Sequence, residues 1–176
     1  ALDAVVVATG PAPFTGLRAG LVTARVIGRV RAVPVHGVPS PDAVARVALD
    51  EIDGAVAGGS AVLVVTDARR HEVYAARYRA RGADDVERLD ELAILAPETA
   101  AGIDDVDAVA GSGAVLYPRI AGGRPTLAPV SGDARAQVRI ALSRLARAGS
   151  ATDLPVEPLY LRHADVQMPT ARKRVR

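Results

Sequence analysis

Ala4-Val-Val-Val-Ala-Thr-Gly-Pro-Ala-Pro-Phe-Thr-Gly-Leu-Arg-Ala-Gly20 passes from an apolar run, through a proline-rich loop, into a helix. The β-branched run at Asp3 to Ala8 reads as a strand, apolar on both faces and therefore central in a sheet. Two prolines and a glycine in Thr9 to Pro13 forbid its continuation. Phe14-Thr15-Gly16 opens the helix, with Thr15 as its N-cap, and the helix runs to about Arg31. Leu17, Leu21, Ala24 and Ile27 form its apolar series. Gly20, Ala24 and Gly28 recur every four residues and so share one face. Glycine costs roughly 1 kcal/mol in a helix interior relative to alanine. The stripe therefore points to another backbone close by, either the chain's own sheet or a second subunit.

Outward from this stretch, strands and helices alternate, which argues for α/β layers. Val33 to Val38 reads as a short edge-like strand, because Pro34 has no N–H to donate. Ser40-Pro41 starts a helix, with serine at the cap and proline at the first helical position. Ala45, Leu49, Ile52 and Val56 carry it forward until Gly58-Gly59 closes it. Ala61 to Thr66 is a buried strand, Asp67 to His71 a polar turn, and Glu72 to Arg79 a strand with one face more exposed. Together these predict a hairpin. Arg88 to Leu95 holds a further strand or turn, Pro97 to Ala101 a short helix, and Val106 to Ala110 a strand ending in the tight turn Gly111-Ser-Gly113. Pro125 to Pro129 is irregular. Asp133 to Ala148 is an amphipathic helix stopped by Gly149, and Pro155 to Arg162 is extended.

The composition excludes several classes. The 176 residues are 49% hydrophobic and 24% charged, enough to bury a core. No cysteine is present, so disulfides, thiolate metal sites and cysteine nucleophiles are ruled out. Aromatic residues make up 3% and tryptophan is absent, which disfavours a stacking platform for single-stranded nucleic acid. No apolar run approaches the roughly 18 residues of a membrane span. The formal charge is +2, but Arg172, Lys173, Arg174 and Arg176 lie in the last six residues. Removing those four leaves 18 basic against 20 acidic residues, so the body is faintly acidic and the final segment reads as a basic tail. The chain opens Ala-Leu-Asp and enters a strand at once, from which N-terminal sequence is expected to be missing.

Four constellations are candidates for chemistry. The loop Thr9 to Pro13 joins a strand to a helix, a setting in which backbone N–H groups bind phosphate. Pro11 and Pro13 remove two donors, and neither a Gly-Lys-Ser/Thr ending nor a Gly-x-Gly-x-x-Gly is present, which favours a structural turn. Gly111-Ser-Gly113 is a lone Gly-x-Gly, better read as a tight turn than as a nucleotide site. Asp67, His71 and Glu72 lie within six residues. Solvated charges of a hairpin turn, with Asp67 bonding the turn backbone, account for them better than a metal or acid–base site does. The nucleophile pattern Gly-x-Ser-x-Gly is absent, and the spacing of Ser112 and the three histidines, His36, His71 and His163, demands no triad.

Three segments, in order, resemble one family. Gly10-Pro-Ala-Pro-Phe-Thr-Gly-Leu-Arg-Ala-Gly20 is similar to the Gly-Pro-Gly-Ser-Phe-Thr-Gly-Leu-Arg-x-Gly signature of the TsaB (YeaZ) family. Asp67-Ala-Arg with Glu72-Val-Tyr74 resembles its Asp-Ala-Arg…Glu-Val-Tyr strand pair, and Pro158-Leu-Tyr-Leu-Arg162 its Pro-x-Tyr-Leu-Arg. Ala12 and Pro13 depart from the usual Gly-Ser. The resemblance implies an α/β ASKHA (actin-like ATPase, ribonuclease-H-like) fold with an incomplete N-terminal lobe, since family members carry opening strands and a first helix before this point. It implies a lobe remnant at 1–66, a C-terminal lobe at 67–166 and a flexible basic tail at 167–176.

Its functional implication is a cytoplasmic, non-catalytic scaffold or activating subunit in tRNA threonylcarbamoyladenosine formation. Such a subunit pairs with a TsaD-like catalytic subunit, with a TsaE-like ATPase joining and a homodimer as an alternative pairing. Contact with tRNA is then indirect, or through Arg172, Lys173, Arg174 and Arg176. No catalytic residue, cofactor or metal is expected. The partner contact is expected at Phe14, Thr15, Leu17, Arg18, Leu21, Ala24 and Gly28: Phe14 and Thr15 fix the helix start, Arg18 offers a charge, and the other four supply a packing face. An ATP-binding enzyme of the same fold, or less favourably a peptidase, is the alternative.

Overall fold

The computed structural model describes residues 1–52, 59–148 and 154–161. Strand β1 (Val5–Ala8), helix α1 (Phe14–Arg31) and strand β2 (Val35–Val38) form a βαβ unit. Its two strands pair in parallel, Val5 opposite Val35 and Ala8 opposite Val38. A parallel pair cannot be joined by a tight turn, and α1 supplies the crossover. The expectation of a central first strand is corrected: among the described residues β1 pairs with β2 alone, in a two-stranded sheet. Thr15 is not the cap either. Helical geometry begins at Phe14, the capping position is Pro13, and no side chain bonds the helix start.

Helix α2 (Ser40–Asp50) follows at once, with Ser40 its first residue rather than its cap. The expected continuation through Val56 to Gly58 falls on residues 53–58, outside the described ones. Strands β3 (Ala61–Arg69) and β4 (Glu72–Arg81) then form the expected antiparallel hairpin. Beyond it come β5 (Asp85–Arg88), β6 (Ala93–Leu95), α3 (Pro97–Ala101), β7 (Ala108–Ala110), α4 (Ser112–Leu116), a 3-10 turn at Pro118–Ala121 and α5 (Ala134–Ala148). The second sheet runs β5-β4-β3-β7, with β6 also on β4.

A boundary at 66/67 would cut β3, which pairs with β4 from Ala61 to Arg69 and belongs wholly to the second sheet. The hairpin with β4 is local and was expected; the parallel pairing of β3 with β7 is non-local and leaves no mark on composition. The proposed tail at 167–176 lies outside the described residues.

Alternation along β3 sends its side chains into two cores. Val62 and Val64 join Val44, Ala45, Ala48 and Leu49 of α2 on one face. Leu63 and Val65 join Ala100, Ala114 and Ile120 on the other. In β4, Ala76 and Tyr78 lie on the α2 side and Val73 and Ala75 opposite; the latter face opens toward its end, where Arg79 and Arg81 are exposed, so one face is the more exposed as expected. Gly111 has φ +101°, and a Cβ on it would collide with the Val65 carbonyl. Only glycine fits, and the turn expected through Gly113 instead ends at Gly111, where α4 begins.

Helix α5 ties the two sheets together. Ala136, Ile140 and Ala141 pack with Val38 of β2 and Ala43 of α2, and Val6 of β1 lies against them. An ionic cluster around buried Asp42 and Asp85 holds the same face of the helix one to two turns further on. Arg144 donates to Asp42 (2.7 Å) and Asp85 (2.9 Å), and Arg147 also pairs with Asp85. Arg46, fully buried, donates to the carbonyls of Gly82 (3.2 Å) and Asp85 (3.0 Å) and to the Asp50 carboxylate (3.1 Å). Burial pushes the Asp42 carboxyl above its usual range, against the pull of Arg144.

Candidate partner-binding surface

The loop after β1 is shaped by its own chain. Gly10 has φ +89°, and a Cβ on it would sit 2.9 Å from the Leu17 side chain. Its carbonyl accepts from the Ser40 N–H (2.8 Å), and the Thr9 N–H donates to the Val38 carbonyl (2.9 Å). Pro11 and Pro13 contribute no N–H. These residues do not fit a nucleotide phosphate, which needs several convergent backbone donors.

Residues 154–161 run as an irregular strap over the same end of the sheet. The Gly37 N–H donates to the Leu154 carbonyl (3.2 Å), and the Leu159 N–H to the Thr9 carbonyl (2.8 Å). Gly37 is glycine because a Cβ would strike the Pro155 carbonyl. The strap then reaches α1. Arg18 Nε donates to the Tyr160 hydroxyl (2.8 Å), and its guanidinium lies 3.6 Å from the Phe14 ring centroid. The Phe14 and Tyr160 rings are 5.3 Å apart, and Arg25 Nη2 donates to the Val156 carbonyl (3.1 Å). Two segments that resemble the family motifs, remote in sequence, thus meet through Phe14, Arg18 and Tyr160.

The seven expected contact residues separate by face. Phe14, Thr15 and Arg18 are exposed. Leu17, Leu21, Ala24 and Gly28 are buried, and they pack inward. A Cβ on Gly28 would collide with Val35 Cγ2 and lie 3.0 Å from the Val33 carbonyl. The close backbone approach signalled by Ala24 and Gly28 is therefore to the chain's own β2 segment. That corrects the packing face expected from Leu17, Leu21, Ala24 and Gly28: it is already filled.

The outer face is apolar as well, and sequence reasoning missed it. Val22, Val26 and Val30, spaced by four, are 58%, 54% and 76% exposed, and Ile27 is 40% exposed. Four-residue spacing puts the three valines in one row. The four-residue spacing of these valines was the available signal.

The other constellations resolve as structure. Asp67 Oδ1 accepts from the Arg69 N–H (2.8 Å), so it bonds the turn backbone as expected. Ser112 Oγ accepts from the Asp67 N–H (3.0 Å). Among the described residues, no cluster of three or more His, Cys, Asp or Glu could hold a metal ion, and no helix is long and apolar enough to cross a membrane.

The family model of TsaD, the tRNA N6-adenosine threonylcarbamoyltransferase, matches residues 1–153. The chain belongs to this family. Within it, the expected likeness to TsaB (YeaZ) holds. YeaZ from Pseudomonas aeruginosa superposes with a TM-score of 0.71 at 25% identity, over 90% of this chain and 74% of that one. A second Pseudomonas aeruginosa protein, described as uncharacterized with similarity to peptidase YEAZ, gives 0.73 at 26% identity, over 92% and 74%. The α/β architecture is thus of the ASKHA type expected.

An uncharacterized Mycobacterium leprae protein is 56% identical over 78 residues, 44% of this chain and 19% of that protein. One from Mycobacterium tuberculosis is 54% identical over 77 residues, 44% and 32%. The chain thus matches less than a third of the length of these mycobacterial relatives.

Proposed function

We propose that the chain serves in tRNA threonylcarbamoyladenosine formation as a non-catalytic scaffold, pairing through the outer face of α1 with a TsaD-like catalytic subunit. Family membership supports the pathway. The observation that carries the scaffold role is the exposed row Val22, Val26 and Val30 on a helix whose opposite face is already buried. Such a row is stable in water only at a cost and is covered on association. In this reading the chain contributes no reacting group, works in the cytoplasm, and meets a TsaE-like ATPase and tRNA through the assembled complex.

Light scattering after size exclusion tests it, with the full-length protein alone and mixed with the TsaD-like subunit of the same organism. A one-to-one complex is expected, together with threonylcarbamoyl transfer by the mixture and none by this protein alone. Failure to form any complex sinks the reading, and so does transfer by the protein alone.

A further inference from the structure

On the face of the second sheet opposite α2, helix α3 and the 3-10 turn stand over the core that contains Ala100 and Ile120. They leave a pocket of about 470 Å³ between them, lined by Pro97 and Ala101 from α3 and by Leu116 and Tyr117 from the segment that enters the turn. That volume is the size of a small-ligand site. Leu116 is 54% exposed although it lines a concave surface. Water held against such a lining makes few hydrogen bonds, and an apolar group displaces it favourably.

The pocket is held open by Arg124. This half-buried side chain donates to the carbonyls of Ile103 (2.6 Å) and Ala101 (3.5 Å) at the end of α3, and to those of Ile120 (2.9 Å) and Ala121 (2.8 Å) in the 3-10 turn. A planar guanidinium with five donors in a fixed fork sets the two segments at one separation. The cavity is therefore preformed, and a ligand need not order it.

Its charges are uncommitted. Glu98 of α3 and Arg119 of the 3-10 turn line the same pocket. Among the described residues, neither side chain has a hydrogen-bond or ion-pair partner, and they do not reach each other. Elsewhere Arg46, Arg77, Arg139 and Arg144 each hold a carboxylate. One carboxylate and one guanidinium beside an apolar lining complement a molecule that carries one ammonium, one carboxylate and an apolar body. A purely anionic ligand would face Glu98 and a purely cationic one Arg119, and like charges oppose association.

We propose that the pocket between α3 and the 3-10 turn binds a small apolar zwitterion, of the class of neutral α-amino acids with aromatic or branched side chains and the dipeptides built from them. Arg119 takes the carboxylate, Glu98 the ammonium, and Pro97, Ala101 and Leu116 the apolar body. The scaffold reading rests on α1, on the other sheet, so the two stand or fall separately.

Calorimetric titration of the full chain tests it, at about 50 mM salt, where exposed charges are weakly screened. The probes are L-phenylalanine, the dipeptide leucyl-phenylalanine, and two analogues with one charge each: hydrocinnamate, which lacks the ammonium, and phenethylamine, which lacks the carboxylate. At least one zwitterion should bind about threefold or more tightly than either analogue, the scale of an exposed charge pair. Tighter binding of the amino acid means that Glu98 and Arg119 meet charges on one carbon; tighter binding of the dipeptide means that they span a peptide unit. Glu98→Gln should lower the affinity of that zwitterion to near that of hydrocinnamate, and Arg119→Gln to near that of phenethylamine, both with an unchanged thermal melt. Ala101→Leu should fill the slot and abolish binding. Binding of neither zwitterion overturns the proposal, equal binding of all four probes overturns the charge assignment, and full affinity in Ala101→Leu overturns the pocket.

Discussion

Gly20 and Gly28 lie two turns apart on α1 and answer to different neighbours. Gly28 is pressed against Val33 and Val35, and Gly20 faces open space. Replacing each by alanine separates the two conditions. Gly20→Ala gains helix propensity with nothing to displace and should stabilise the fold by roughly 0.5–1 kcal/mol. Gly28→Ala gains the same propensity but drives a methyl into Val35, and should destabilise by about 1–3 kcal/mol net. Chemical denaturation of the two variants checks both signs, and like-signed effects would contradict the packing described. Arg77 is a further residue with a clear assignment. It forms a two-pronged pair with Asp90 at 2.9 Å on each prong, and these hydrogen bonds hold the Asp90 carboxyl below its usual range.

At the scale of elements, the β3–β4 hairpin turns on residues that dislike its geometry. Arg69, Arg70 and His71 have φ of 63°, 57° and 59°, a region that L side chains enter at a cost of about 1 kcal/mol or more each. His71 is exposed, so His71→Gly should raise stability by roughly 0.5–1 kcal/mol, read as a shift in the thermal melt. An unchanged or lowered melt would mean that the imidazole makes a compensating contact. The hairpin was legible in the sequence because Ala61 to Thr66 is apolar and β-branched, Glu72 to Arg79 alternates, and the turn between them is polar. The loop before α1 was legible because Pro11 and Pro13 leave the backbone few options. The buried row of α1 was legible as a row, but not what it faces: Leu17, Leu21 and Ala24 have one periodicity whether they meet their own sheet or a stranger. The sheet to which β3 belongs was hidden for a different reason. Its hairpin partner β4 is local, but its other neighbour, β7, is fixed by pairing across the fold. The split of the candidate contact residues into Phe14 and Arg18 outside and Leu17 and Leu21 inside needed the direction of the helix relative to β2.

For the whole molecule, α5 is the clasp. It packs on β1, β2 and α2 through Ala136, Ile140 and Ala141, and its arginines reach Asp85 at the start of β5. Among the described residues, Asp85→Ala would leave Arg144 with Asp42 as its one carboxylate and Arg147 with none. Removing one partner of a buried pair is costly, and the expected loss is about 2–4 kcal/mol in denaturant unfolding. A loss under about 1 kcal/mol would show the cluster to be ornamental to stability. The clasp also sets a schedule. Val38 and Ala43 depend on Ile140 for their cover, and Ile140 follows them by about 100 residues; at roughly 5–20 residues per second of synthesis, that is about 5–20 seconds. Throughout that interval the nascent βαβ unit emerges from the ribosome with its inner apolar surface bare, and it is α5, made long after it, that ends its exposure.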